Sequence, residues 1–409
     1  MNYIDYRSNE NSTFFELEVQ DFAYHIIIIK NFWFNDFGDI YKLEFQKKSL
    51  SKHIKTRIDY VMPLGITPIA LLIWFPFAYI SNYSIALSYT LWIACSLLIL
   101  YSSLWYIIID LFKEKKPPFL LSILFILTLF SPAFLGALFL GQTSIFASGM
   151  IIHLLRFLRK KNKTTRWIPY LILFSLGIKP VYSIIAFGIL IIYQKWREAF
   201  VSVIIIIFYL ILITPLITIE WVGSYINLLQ MYSSGRFPKS YAWSIVPHTM
   251  NIFRSAFTNV IGDIYSNLIS SLITIVTYFF VITYSIINLK NNTKGRNFFK
   301  SISNEQALLI LIGGYLLFAP YANAYEDFLV LPVLVILALS GIVPKLSIFQ
   351  STLFAIAFFI ILSQSCLNTK NFLWFLWIVK AAIFLLIYFF FCFEESKIKE
   401  PITNPSINS

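Results

Sequence analysis

From position 85 onward, unbroken apolar runs alternate with short polar connections, each run long enough for about 30 Å of hydrocarbon at roughly 20 residues. They fall near 85–109, 119–134, 137–156, 198–219, 266–289, 304–322, 328–343, 347–366 and 371–393. No run alternates apolar with polar residues as a barrel strand would. Amides in lipid must find partners within their own segment, so the pattern predicts helices. The expected fold is all-α, a polytopic membrane bundle of about 9–11 transmembrane helices.

Two further apolar stretches, 62–80 and 167–193, carry internal prolines (Pro63, Pro68 and Pro76; Pro169 and Pro180). The first is expected to be re-entrant or to lie along the outer surface. The second is expected as a broken helix pair meeting at "GIKP" (177–180), because broken helices at membrane depth are tolerated where they line a cavity. A single proline-kinked helix is the alternative there.

A hydrophobic content of 58% with 13% charged residues excludes an ordinary soluble domain. The net charge of +12 is concentrated in short loops, at 112–118, 156–166, 194–198 and 290–300. Such loops ordinarily stay cytoplasmic, which accounts for the charge without nucleic-acid binding. Keeping all of them inside divides the chain into an extracytoplasmic acidic and aromatic loop (1–60), a transmembrane domain (61–393) with an outer loop at 220–267, and a cytoplasmic tail (394–409). Cys95, Cys366 and Cys392 show no paired spacing for a disulfide framework or a metal site. Residues 1–20 do not read as a signal peptide.

Acids are scarce, and separate segments bring them to the outer side. Asp21, Asp36, Asp39 and Asp59 lie in the opening segment, Glu220 starts the long loop, and Glu326 and Asp327 follow "PYANAY". Cations suited to phosphate share that side: Arg236, Lys239, His248 and Arg254, with Lys179 at the proline break. Singly, such residues are ordinarily solvated or snorkelling. Opposite a carboxylate, they suggest lipid-phosphate chemistry. The acids could hold a divalent cation, although no ligand motif demands one. Trp33, Trp74, Trp221 and Trp243 fit interfacial belts.

In order and spacing these motifs resemble glycosyltransferase family 87, the polyprenol-phosphate-dependent membrane glycosyltransferases of GT-C architecture that include mannosyltransferases. Asp21-Phe22 followed by Tyr41 resembles the family's acidic loop, and 60–80 its proline-containing segment. Gly141-Gln142 resembles its Gly-Gln helix start, and Lys179-Pro180 its Lys-Pro pair. Pro320, Tyr321, Ala322 and Asp327 match in part its late turn, where Asn323 stands in place of a frequent His. The family's first transmembrane helix has no counterpart, which leads to the expectation of a truncated start.

The resemblance implies inverting transfer of a sugar from a polyprenyl-phosphate donor to a lipid or glycan acceptor, at the outer face of the plasma membrane. Asp21 is the expected base, and Asp36 in "NDFGD" is the runner-up with the wrong distance to Tyr41. Gln142, Lys179, Arg236, Lys239, His248, Arg254, Tyr321 and Asp327 are the expected substrate and phosphate contacts. Buried polar groups at membrane depth otherwise serve as helix-to-helix hydrogen bonds. A lipid-linked oligosaccharide flippase would want internal repeats, which the two halves do not show. A polysaccharide polymerase or ligase would want an arginine-rich outer loop, and this one has Arg236 and Arg254.

Overall fold

A computed structural model of the chain describes residues 20–51, 64–114, 126–159, 167–234, 261–290, 303–318, 324–340 and 378–388. These are helices joined by short turns, with no strand among the described residues. In chain order the helices are α1 (Gln20–Phe34), α2 (Leu43–Ser51), α3 (Ile69–Ile73), α4 (Phe75–Ile80), α5 (Ile85–Glu114), α6 (Pro132–Leu140), α7 (Ser144–Arg159) and α8 (Ile168–Leu176). They continue as α9 (Pro180–Ile192), α10 (Trp196–Ile217), α11 (Trp221–Ser234), α12 (Asp263–Lys290) and α13 (Asn304–Phe318). A 3-10 turn (Ala324–Leu329) leads into α14 (Val330–Ser340), and α15 spans Ile378–Tyr388.

The described part of α5 up to Leu111 and all of α10 are each long and apolar enough to cross a membrane, and α6 with α7 would form one further, bent span. The apolar surface that α10 leaves outward, including Phe200, Ile207, Phe208, Ile211 and Leu212, suits lipid rather than water. The protein is an all-α polytopic membrane protein.

Helices α5 and α7 run parallel. The Trp92 indole donates to the Gly141 carbonyl at 2.9 Å, Ser102 meets His153 Nε2 at 3.1 Å, and Arg156 pairs with Asp110 at 3.0 Å. Their backbones come close at Gly149, where a Cβ would lie 2.9 Å from Leu100 Cα. Small residues permit such approaches between helices. The ends of α5 and α7 therefore lie together, so the basic stretches 112–118 and 156–166 both begin at one end of the bundle.

The sequence pattern divides the 119–156 region near Leu135-Gly136, but the break falls later. Gly136 sits inside α6, and the chain turns at Gly141, whose φ of 65° is left-handed. Helices α6 and α7 meet there at 114°. Glycine is the ordinary residue for such a helix end, since a Cβ is strained at that φ. At Gly141 a Cβ would also lie 2.6 Å from Phe22 Cβ. Gly141→Ala is expected to lower the thermal unfolding midpoint in detergent. Gly136→Ala, with nothing within 4 Å of the added carbon, is expected to leave it unchanged or raise it slightly.

The break at "GIKP" falls where expected. Pro180 opens α9, and Lys179 before it is extended (φ −128°, ψ 138°), the conformation favoured before proline. The Gly177 and Ile178 carbonyls, just past the end of α8, need partners from outside the helix. Thr67 supplies them: its amide donates to Ile178 O at 2.9 Å and its hydroxyl to Gly177 O. The loop carrying Thr67 is held in turn by Tyr41, whose hydroxyl donates to Ile66 O at 2.9 Å, and by Tyr209, which reaches Pro68 O at 3.1 Å. Tyr41 thus supports the backbone that fixes Lys179.

The described part of the expected acidic loop, 20–51, forms α1, α2 and the turn between them. In α1, Phe22, Ile26, Ile28, Ile29 and Phe32 are buried in the main core. Asp39 accepts from Ser224 at 2.6 Å, and Lys42 pairs with Glu220, so this segment and the start of α11 share one end of the bundle.

Candidate functional site

Four segments converge on a buried polar cluster: α1, the break before α7, the break before α9, and the 3-10 turn. Asp21 lies in the first turn of α1 and is 4% exposed. Its Oδ2 accepts from the Gln142 amide, and Gln142 is likewise 4% exposed. Asp21 forms no ion pair with a described residue. Burial lifts its carboxyl from 3.8 to about 7, with the nearby Lys179 charge and the Gln142 bond pulling the other way. α1 lies outside the span candidates, and the carboxyl sits where a group can exchange its proton near neutral pH.

Lys179 Nζ donates to Glu326 Oε1 at 3.2 Å and lies 5.7 Å from the Tyr182 ring centroid. Glu326 Oε2 accepts from the Tyr315 hydroxyl, and the Tyr182 hydroxyl lies 3.3 Å from Thr143 Oγ1. The neighbouring Asp327 pairs with Lys380 of α15, both buried. Glu326 and Asp327 thus each hold a lysine, whereas Asp21 has an amide. The Coulombic influence of Lys179 extends to both Asp21 and His25.

Of the residues expected from sequence, Asp21, Gln142, Lys179 and Asp327 are brought into this region. Asp36 is not. It sits near the surface, 2.7 Å from Lys48 with both side chains well exposed. Such pairs contribute about 0–1 kcal/mol. Asp36→Asn is expected to leave both transfer and thermal stability near wild type, as parallel rate and unfolding measurements would report. Arg236, Lys239, His248, Arg254 and Tyr321 lie outside the described residues. Trp74, expected at an interface, is instead buried at 1% exposure, with its ring 5.4 Å from that of Trp92.

Lys380, Tyr315 and Tyr182 were not anticipated. Lys380 carries the one legible signal, a lysine within an apolar run. Glu326 was visible as an acid, but its tie to Lys179 crosses 147 positions of sequence. Among the described residues, no group of three or more His, Cys, Asp or Glu is placed to hold a metal ion.

The cluster lies toward the start of α5. Phe22 packs 5.8 Å from Tyr89, and Trp92 bonds to Gly141 beside Gln142. Asp110 and Arg156 mark the opposite end, and 18 residues of helix from Trp92 to Asp110 make about 27 Å at 1.5 Å each.

Helices of this apolarity, with breaks that gather a carboxylate and lysines inside the bundle, define an integral membrane protein with a buried polar centre. The model of glycosyltransferase family 87 matches residues 67–298, more than half of the 409-residue chain. The chain belongs to that family and is a glycosyltransferase. The match includes both Gln142 and Lys179, while Asp21, Glu326 and Asp327 lie beyond its ends. No curated protein and no solved structure matches the chain.

Proposed function

We propose that this glycosyltransferase moves a sugar, with mannose the first candidate, from a polyprenyl-phosphate donor to a lipid or glycan acceptor with inversion at the anomeric carbon. The observation that carries the mechanism is the contrast among the three acids of the cluster. Glu326 and Asp327 are held by lysines, while Asp21 is hydrogen-bonded to a neutral amide and burial lifts its carboxyl to about 7. A general base works best with a pKa near the operating pH, a condition that burial gives the Asp21 carboxyl.

In the proposed reaction Asp21 takes the proton of the acceptor hydroxyl. That oxygen bonds to the anomeric carbon as the carbon–oxygen bond to the lipid phosphate breaks, and the bonding pair leaves with the phosphate. Gln142 orients the carboxylate. Lys179 supplies positive charge where the leaving phosphate gains negative charge, exchanging part of its contact with Glu326 for the phosphate. Asp327 holds Lys380 beside this region. Arg236, Lys239, His248, Arg254 and Tyr321 are proposed to complete the phosphate and substrate contacts.

The site is proposed to face outward across a plasma membrane. Its support is the separation of about 27 Å between the cluster and the end of α5 and α7, where basic stretches follow, since positive segments stay cytoplasmic. Residues 1–60, the 220–267 loop and the turn before Asp327 then share the outer side, and the tail from 394 is cytoplasmic.

Proteoliposomes carrying a labelled polyprenyl-phosphate sugar and an acceptor lipid test this activity. Label is expected in the acceptor, with stoichiometric release of polyprenyl phosphate. Movement of intact donor between leaflets without covalent transfer would instead identify a flippase.

A further inference from the structure

Two buried polar atoms beside the cluster, His25 Nε2 and Trp74 Nε1, have no hydrogen-bond partner among the described residues. His25 follows Asp21 by four positions on α1, which puts both side chains on one helix face. Its ring lies 5.4 Å from that of Trp74, and Trp74 also meets Phe22, the residue after Asp21, at 5.8 Å. Burial and the Lys179 charge pull the His25 pKa down to about 3, so the ring is neutral at physiological pH. A neutral imidazole offers one donor and one acceptor, whereas an indole offers a donor alone.

An orphaned buried polar atom is costly, and these adjoin the proposed base. A hydroxyl both gives and takes a hydrogen bond, so hydroxyls can satisfy an indole N–H and an imidazole nitrogen alike. A polyprenyl chain has neither capacity, and an anionic phosphate is served by Lys179. His25 is 8% exposed and Trp74 1%.

We infer that His25 and Trp74 form a subsite for ring hydroxyls of the hexopyranose at the reacting centre, which makes them specificity-determining residues. The inference rests on the transferase activity proposed above. The hydroxyls come from the transferred sugar or from a sugar acceptor, and the test separates the two.

Wild type, His25→Phe, His25→Gln and Trp74→Phe are compared on donors and sugar acceptors that each lack one ring hydroxyl. In wild type one deoxy position is expected to lower kcat/KM by about 10–100-fold, the loss that follows when buried polar groups are left unpaired. The same deoxy compound is expected to cost His25→Phe or Trp74→Phe less than about threefold, because the unpaired group is already gone. His25→Gln, which keeps an amide near the Nε2 position, retains most of the penalty. The series in which the coupled position appears identifies donor or acceptor as its source. Trp74→Phe preserves an aromatic ring and keeps the test usable where His25→Phe fails to fold. Equal deoxy penalties in wild type and variants would overturn the subsite alone. No turnover of any lipid-linked donor by wild type would overturn the donor assignment and the subsite with it.

Discussion

Asp21→Asn is expected to slow transfer by about 10²–10⁴-fold, the usual range for loss of a general base, while raising the thermal unfolding midpoint at pH 8. Both effects come from one carboxyl. Burial raises its pKa in the folded chain from 3.8 to about 7, so the folded state holds that proton more tightly than the unfolded state. The resulting stability is complete below pH 3.8, declines as pH rises, and is gone above about pH 7. Above that point wild type carries a buried charge with an amide as its partner, and the asparagine variant does not. A shift of this size corresponds to stabilisation of the variant on the order of 4 kcal/mol at alkaline pH. Near pH 4 the difference should largely close. The wild-type rate should rise with pH through about 7, as the base loses its proton. Thermal scans at both pH values and a pH–rate profile measure all of this. A variant that loses activity and stability together at pH 8 would mark Asp21 as structural.

Lys179→Met carries the second large expectation. Glu326 is 3% exposed at its side chain, and removing its lysine leaves a buried charge held by Tyr315. Breaking such a pair from one side costs about 3–5 kcal/mol, whereas replacing both partners is often close to neutral. Lys179→Met/Glu326→Gln should therefore recover most of the stability lost in the single variant. It should not recover transfer, since the cation proposed for the leaving phosphate is still missing, and one such electrostatic contact is worth about 10²–10³ in kcat. Rate and unfolding measured on the single and double variants separate the roles. Wild-type transfer by the double variant would confine Lys179 to holding the fold.

Both decisive breaks were foreshadowed by residue chemistry, but to different degrees. Proline fixes its own φ and biases the preceding residue toward extended backbone, so Lys179-Pro180 points to both the interruption and the conformation of the lysine. Gly136 and Gly141 look alike in an apolar run. What separates them is Phe22 lying across Gly141, a contact 119 positions away in sequence that local pattern does not contain. Spacing to Tyr41 favours Asp21 over Asp36; in the structure Asp21 is buried and the Asp36 side chain exposed. The partners of Glu326 and Asp327 were hidden because ion pairs among distant helices follow from packing rather than from periodicity. Trp74 was misplaced for a related reason. Amphipathic rings suit interfaces on average, but α1 covers this one and buries it in the core.

The donor decides the account most directly. Purified protein in proteoliposomes, given the same labelled sugar as a polyprenyl phosphate or as a nucleotide diphosphate, should pass label to acceptor from the lipid-linked form alone, with Asp21→Asn inactive beside it. Transfer from the nucleotide sugar, or undiminished transfer by Asp21→Asn, would contradict it.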